Sequence, residues 1–149
     1  MPTTMTMEEF EQAKDVDLGA TEWFEVTQDM IDLFADATLD HQWIHVDHDK
    51  AAQGPFGQTI AHGFLTVALL PDMLGKLLTV DGSQMGVNYG MDRLRLTSPV
   101  PSGANIRARG TLRETERKGQ GVLAKVDMTI EIQGQEKPAM VGVFLILRY

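Results

Sequence analysis

Four histidines, His41, His45, His48 and His62, fall within 22 residues, and Asp36, Asp40, Asp47 and Asp49 lie among them. Nowhere else does the chain gather so many groups able to move a proton or hold a cation. One chemistry is metal binding. If 41–48 were helical, His41, His45 and His48 would share a face, and imidazoles suit zinc. Yet Gln42-Trp43-Ile44 supplies no glutamate between the first two histidines to act as the usual base, so no metal is expected. A second chemistry is acid–base catalysis. Asp40 and His45 are five residues apart, a spacing that lets a loop bring both onto one water, one taking a proton and the other giving one. Ile44 and Val46 would partly desolvate His45 and tune its pKa. The alternative for this pair is a buried histidine bonded to an aspartate for structure alone.

Ala61-His62-Gly63 follows, directly ahead of the most apolar stretch of the chain. A glycine at a helix start leaves a backbone N–H unpaired at the positive end of the helix dipole, suited to a developing oxyanion. The same glycine could serve only to start the helix. A proton-transfer pair, an oxyanion donor and an apolar channel along the helix together suit activation of a thioester.

These residues need elements to position them. Between Gly63 and Leu78 apolar side chains fall on nearly every side of a helical wheel, which predicts a helix buried all round. Pro71 should kink it or divide it into two short helices. Ahead of it, 21–26 reads as a short strand, Thr27 as a helix N-cap, and Met30, Leu33, Phe34 and Ala37 as the apolar face of the helix that follows. Asp47 is placed to cap a short helix over 50–52. After Asp81-Gly82 the period becomes two, most clearly from Val122 to Ile132, where even-numbered positions are apolar and Lys125, Asp127, Thr129 and Glu131 are polar. About four antiparallel strands are expected beyond residue 82. This is an α+β domain, one long buried helix wrapped by an antiparallel sheet, with a second subunit expected to supply the missing cover. The polar residues 1–18 are expected to be loosely ordered, and the 149 residues to form one domain.

Composition excludes several classes. The chain carries 13 basic and 21 acidic side chains, a net charge of −8, against a nucleic-acid partner. No apolar run approaches the length of a membrane span, and no leader is evident at the start. Cysteine is absent, excluding disulfides, thiolate metal sites and a cysteine nucleophile. A cytoplasmic location is the simplest reading. Residues 1–75 hold 2 basic and 14 acidic side chains, residues 76–149 hold 11 and 7. Arg93, Arg95, Arg107 and Arg109 in the second part could meet a polyanionic ligand or simply face solvent on strands.

The stretch from Phe34 to Asp47, with Asp40-His41-Gln42-Trp43-Ile44-His45 at its centre, and Ile60-Ala61-His62-Gly63-Phe64-Leu65-Thr66 resemble the MaoC-like dehydratases, the (R)-specific enoyl-CoA hydratases of hot-dog fold. The resemblance extends to Val87-Asn88-Tyr89-Gly90 and Ser98-Pro99-Val100-Pro101-Ser102-Gly103. Leu39 stands where the common pattern has glycine, and Gln42-Trp43 where it has Asn-Pro, a variant similar to the nodulation protein N branch. The resemblance implies a single hot-dog domain and reversible hydration of trans-2-enoyl thioesters, with no cofactor. It implies that Asp40 and His45 activate water and that the Gly63 N–H binds the thioester oxygen. It also implies a homodimer. His62, Asn88 and Tyr89 are expected to bind substrate, an acyl-CoA.

Two other functions share such a scaffold. A hot-dog thioesterase would want its carboxylate on the central helix, where Asp72 is the only acid. A non-catalytic acyl-CoA-binding module would bind without turnover.

Overall fold

The computed structural model describes residues 1–149. The period-two stretches form the strands they predict: β5 (Gly86–Leu96), β6 (Asn105–Lys118), β7 (Gly121–Ile132) and β8 (Met140–Arg148). With β2 (Lys14–Ala20) they make an antiparallel sheet in the order β2-β6-β7-β8-β5, and the short β3 (Phe24–Glu25) also pairs with β6. Along β7, Val122, Ala124, Val126, Met128, Ile130 and Ile132 are all buried on the inner face.

The apolar stretch after His62 packs on that face as two short helices, α5 (Gly63–Ala68) and α6 (Leu70–Leu77). Of the two outcomes Pro71 allowed, the structure takes the second. The ring has no N–H to give the Val67 carbonyl, and it sits in the first turn of α6, where none is needed. Leu69 between them stays in the right-handed region, so the two run on nearly as one bent rod. Leu65, Leu70, Met73, Leu74 and Leu77 enter the core with Ile106, Leu112, Met128 and Phe144. Gly110 lets α6 come close: a Cβ there would sit 3.3 Å from Leu77 Cδ1. The rod is not buried all round. Phe64 is 69% exposed, and Ala68, Pro71 and Asp72 also face outward. This is the hot-dog arrangement, with one flank of the helix open in the single chain.

Residues 1–18 are not loose. They form β1 (Thr3–Thr6), α1 (Met7–Gln12) and most of β2. A capping box starts α1: Glu9 N–H donates to Thr6 Oγ1 at 3.1 Å, and Thr6 N–H to Glu9 Oε2 at 2.8 Å. Few apolar anchors suffice, because Met5, Phe10 and Leu18 all reach the main core. β1 pairs in parallel with β4 (Leu78–Asp81), the strand leaving α6.

Helix α2 (Gln28–Thr38) begins at Thr27 as expected, the Thr27 hydroxyl accepting from Met30 N–H. Its buried face is different. Ile31 and Ala35 enter the core, whereas Leu33 is 69% exposed. Two overlapping apolar stripes satisfy the 3.6 period, and packing selects the one containing Ile31. The strand expected over 21–26 shrinks to the two residues of β3; Trp23 instead stacks against the Arg107 guanidinium at 4.3 Å. Two one-turn helices, α3 (Trp43–Val46) and α4 (His48–Ala52), complete the chain, α4 capped by Asp47 as expected.

Candidate active site

The site begins where α2 stops. Leu39 takes the left-handed conformation, φ 66°, and turns the chain out of the helix. Asp40 comes next, its Oδ1 accepting from Gln42 N–H at 3.3 Å in an Asx turn. That turn leads into α3, which carries His45 inward until the residue is 5% exposed. His45 Nδ1 donates to the Ile60 carbonyl at 2.7 Å, leaving Nε2 as the free ring nitrogen. Burial pushes the pKa of His45 down. The Ile60 bond pulls it up, His62 pushes it down again, and Asp40 pulls it up; the net direction is below the usual histidine value.

Gln28, which sequence reasoning missed, fastens this corner. Its amide donates to the His45 carbonyl at 2.8 Å and to Asp32 Oδ1 at 2.9 Å, and its Oε1 accepts from the Thr59 hydroxyl at 2.8 Å. Its site partners, His45 and Thr59, lie 17 and 31 residues away in sequence, so nothing local marks this role.

A carboxylate oxygen of Asp40 and ring nitrogens of His45 and His62 lie within 4.8 Å of one another. A water bonded to two groups at about 2.8 Å with a tetrahedral angle spans about 4.6 Å, so groups within this limit are close enough to share one. The cluster does not suit zinc. The rings of His45 and His62 are stacked, centroids 3.8 Å apart and planes at 23°, so their in-plane lone pairs do not converge on a common ion. The helical trio His41, His45 and His48 does not form either. His41 precedes α3 and bonds Asp36 at 2.8 Å, while His48 is exposed on α4.

Beside His45 opens a cleft of about 360 Å³, walled by Ile44, Ile60, Gly63, Thr66, Leu96 and Val100 among others. Gly63 is the first residue of α5, so its N–H has no partner within the helix. A Cβ at this position would meet Leu96 Cδ1 at 2.3 Å, so a larger residue would have to displace the Leu96 side chain of the edge strand. Thr66, one turn further, is 4% exposed and is a polar group that sequence reasoning did not single out. Its i+3 spacing from Gly63 was the available signal.

The structure thus brings Asp40, His45 and His62 together and puts His45 and Gly63 on the wall of one cleft, which Asp40 does not line. His62 is not on the cleft wall; it lies behind His45, 2% exposed. Asn88 and Tyr89 do not reach this cleft. Asn88 lines a second cavity of about 250 Å³ between the helices and β5, with Val67, Pro71, Met91 and Phe144. A bulge between Asn88 and Gly90 breaks the alternation, and Tyr89 stays 48% exposed beside the Lys118 ammonium. Arg107 and Arg109 both pair with Glu131. Asp72 pairs with Lys76 at the surface of α6, away from the cleft.

The model of the MaoC like domain matches residues 9–133. Among curated proteins, the chain is 49% identical to 3-hydroxyacyl-thioester dehydratase Z of Mycobacterium tuberculosis over 126 residues, 84% of this chain and 83% of the relative. It is 46% identical to nodulation protein N of Rhizobium leguminosarum over 127 residues, 83% of this chain and 79% of that one. Among solved structures, an unliganded R-hydratase from Pseudomonas aeruginosa superposes with a TM-score of 0.72 at 22% identity, covering 90% of this chain and 86% of that one. The last of these speaks for the fold, and the first two speak for descent. The chain belongs to the MaoC-like dehydratase family.

Proposed function

We propose that the protein is a hydro-lyase that reversibly adds water to trans-2-enoyl thioesters, giving the (R)-3-hydroxyacyl thioester. The observation that carries this reading is that an Asp40 carboxylate lies within 4.8 Å of a ring nitrogen of His45, and that His45 lines a cleft together with Gly63 at the start of α5. The name of the Mycobacterium tuberculosis relative, a 3-hydroxyacyl-thioester dehydratase, and the R-hydratase superposition support it.

In this mechanism the pair holds one water. As the water oxygen bonds C3, its proton passes to one member of the pair. The C2=C3 electrons move to C2 and onto the thioester oxygen, where the Gly63 N–H meets the enolate charge. The other member returns a proton to C2, so the sum is one water added. Because both groups share one water, the roles of acid and base are assigned to the pair and not to either residue. The second cavity follows the first along the helix, from Gly63 and Thr66 to Val67 and Pro71, and suits the acyl chain, with Asn88 on its wall. Arg93 and Arg95 on β5 make no ion pair with a carboxylate, unlike Arg107 and Arg109, which makes them the candidates for coenzyme A phosphates.

The working unit in this reading is a homodimer. β5 is an eleven-residue edge strand paired on one side only, and Val87, Tyr89, Leu96 and Phe64 are exposed on or beside it.

The test is hydration of trans-2-enoyl-CoA, from crotonyl to dodecenoyl, followed by loss of the conjugated-thioester absorbance and by chiral analysis of the product. Turnover to the (R) product, lowered about 10²- to 10⁴-fold in Asp40→Asn and in His45→Gln, is expected. Absence of turnover by folded protein at every chain length overturns the reading and leaves acyl binding without catalysis.

A further inference from the structure

His62 is the one member of the cluster that the proposed mechanism leaves without a role, and it makes the most specific contacts. It is the residue capping α5, 2% exposed. Its Nε2–H donates to the main-chain carbonyl of Asp40 at 2.9 Å. Its ring stacks on His45 at 3.8 Å, and Phe34 of α2 packs against it at 4.9 Å. Its Nδ1 is buried and meets no partner. A histidine kept only to fill space would be replaced at less cost by an apolar ring, because a buried nitrogen without a partner is unfavourable. The burial of a polar ring here points to a task.

We propose that His62 is a positioning residue with two separable actions on the pair: its Nε2–H fixes the peptide of Asp40, and its ring face orients His45. The inference rests on the hydratase reading for its kinetic consequence. The first action matters because Asp40 is exposed and sits in a loop after a left-handed residue. The only other bonds holding that residue are weak, 3.3 Å from Oδ1 to Gln42 N–H and 3.4 Å from its own N–H to the Thr38 hydroxyl. The bond from His62 ties this loop to the start of α5, the element that presents Gly63. One side chain thus sets the distance between the water-holding carboxylate and the oxyanion donor. The second action matters because the ring covers one face of His45 and keeps water from it. The charged groups acting on His45 are His62, from the start of α5, and Asp40, from the loop after α2.

Two variants separate these actions. His62→Phe keeps a ring against His45 and loses the donor. His62→Gln keeps an amide donor in reach of Asp40 and loses the ring. In the full-length protein, kcat for crotonyl-CoA is expected to fall about 10- to 100-fold in His62→Phe, with KM little changed and the His45 midpoint raised less than in His62→Gln, because Phe removes the electrostatic effect of His62 and keeps the ring that covers His45. In His62→Gln, kcat at high pH is expected to recover most of the wild-type value. The His45 midpoint, followed by NMR of its ring protons, and the acid limb of kcat/KM are both expected to move to higher pH. A merely structural role would move the two readouts together. Wild-type kcat in folded His62→Phe, or an unmoved His45 midpoint in His62→Gln, overturns the proposal. If His62→Phe does not fold, the His45 midpoint in His62→Gln decides alone. The NMR titration needs no turnover, so an inactive wild type would count against the hydratase reading, and the His45 midpoint would still decide the role of His62.

Discussion

His45 carries the clearest pH signature of any single residue. Its pKa is lowered in the folded protein, first by burial, so the folded state holds fewer protons on this ring than the unfolded state does below the ordinary value of 6.5. Stability rises with pH wherever the unfolded chain binds more protons. The contribution of His45 is therefore complete above pH 6.5 and is lost as pH falls from there through the lowered folded value. Denaturant titrations between pH 5 and 7.5 should show stability falling on the acid side, with a shallower fall in His45→Gln (the window follows from the ordinary value of 6.5). An equal slope in both proteins would assign the pH dependence elsewhere. The same lowering keeps the free Nε2 unprotonated, and so able to accept a proton, at pH values where an ordinary histidine is already half charged.

At the scale of elements, the turn between α2 and α3 is under strain. Leu39 holds φ 66° with its side chain 81% exposed, so it makes little packing to offset the left-handed backbone. That conformation costs an L-residue about 1–2 kcal/mol and costs glycine almost nothing. Leu39→Gly is expected to raise unfolding free energy by about 1 kcal/mol, read by denaturant midpoint, with crotonyl-CoA turnover unchanged. A lower midpoint would show that Leu39 packs usefully. The glycine of the common family pattern at this position has the same physical reason. How legible each element is in the sequence also has physical causes. β7 can be read because one face is core and the other solvent, so Lys125, Asp127 and Thr129 alternate with Val126, Met128 and Ile130. Asp40, His45 and Gly63 can be found because their types and spacing are local. Residues 1–18 read as loose because their buried anchors, Met5, Phe10 and Leu18, are few and widely spaced, although Thr6 and Glu9 spell a capping box. The roles of Gln28 and His62 are invisible there, because the contacts that tie them to the site, to His45 and to Asp40, span 17 and 22 residues.

For the molecule as a whole, the open flank decides the state of assembly. β5 leaves one row of backbone donors and acceptors unpaired, and Phe64, Ala68 and Pro71 leave the neighbouring helical surface uncovered. Two copies joined along β5 would continue the sheet and bury that surface at once. Sedimentation should report a mass near twice 16.5 kDa at micromolar concentration. The thermal midpoint should rise with protein concentration, as it does when dimerisation stabilises only the folded chain. A monomer whose midpoint is independent of concentration would show that the flank stays uncovered in solution.

The pairing of β1 with β4 and of β2 with β6 sets an order in time. Thr3 lies against Leu78, and Lys14 against Glu114. While the chain is being made, segment 3–6 must wait, partnerless, until the central helices and β4 have been synthesised, and segment 14–20 until β6 has. Local pairs such as the β6–β7 hairpin close over a short loop and face no such delay. The amino-terminal segments are thus a fastening applied after the core has formed, and amide protection in β1 and β2 is the mark of a finished molecule.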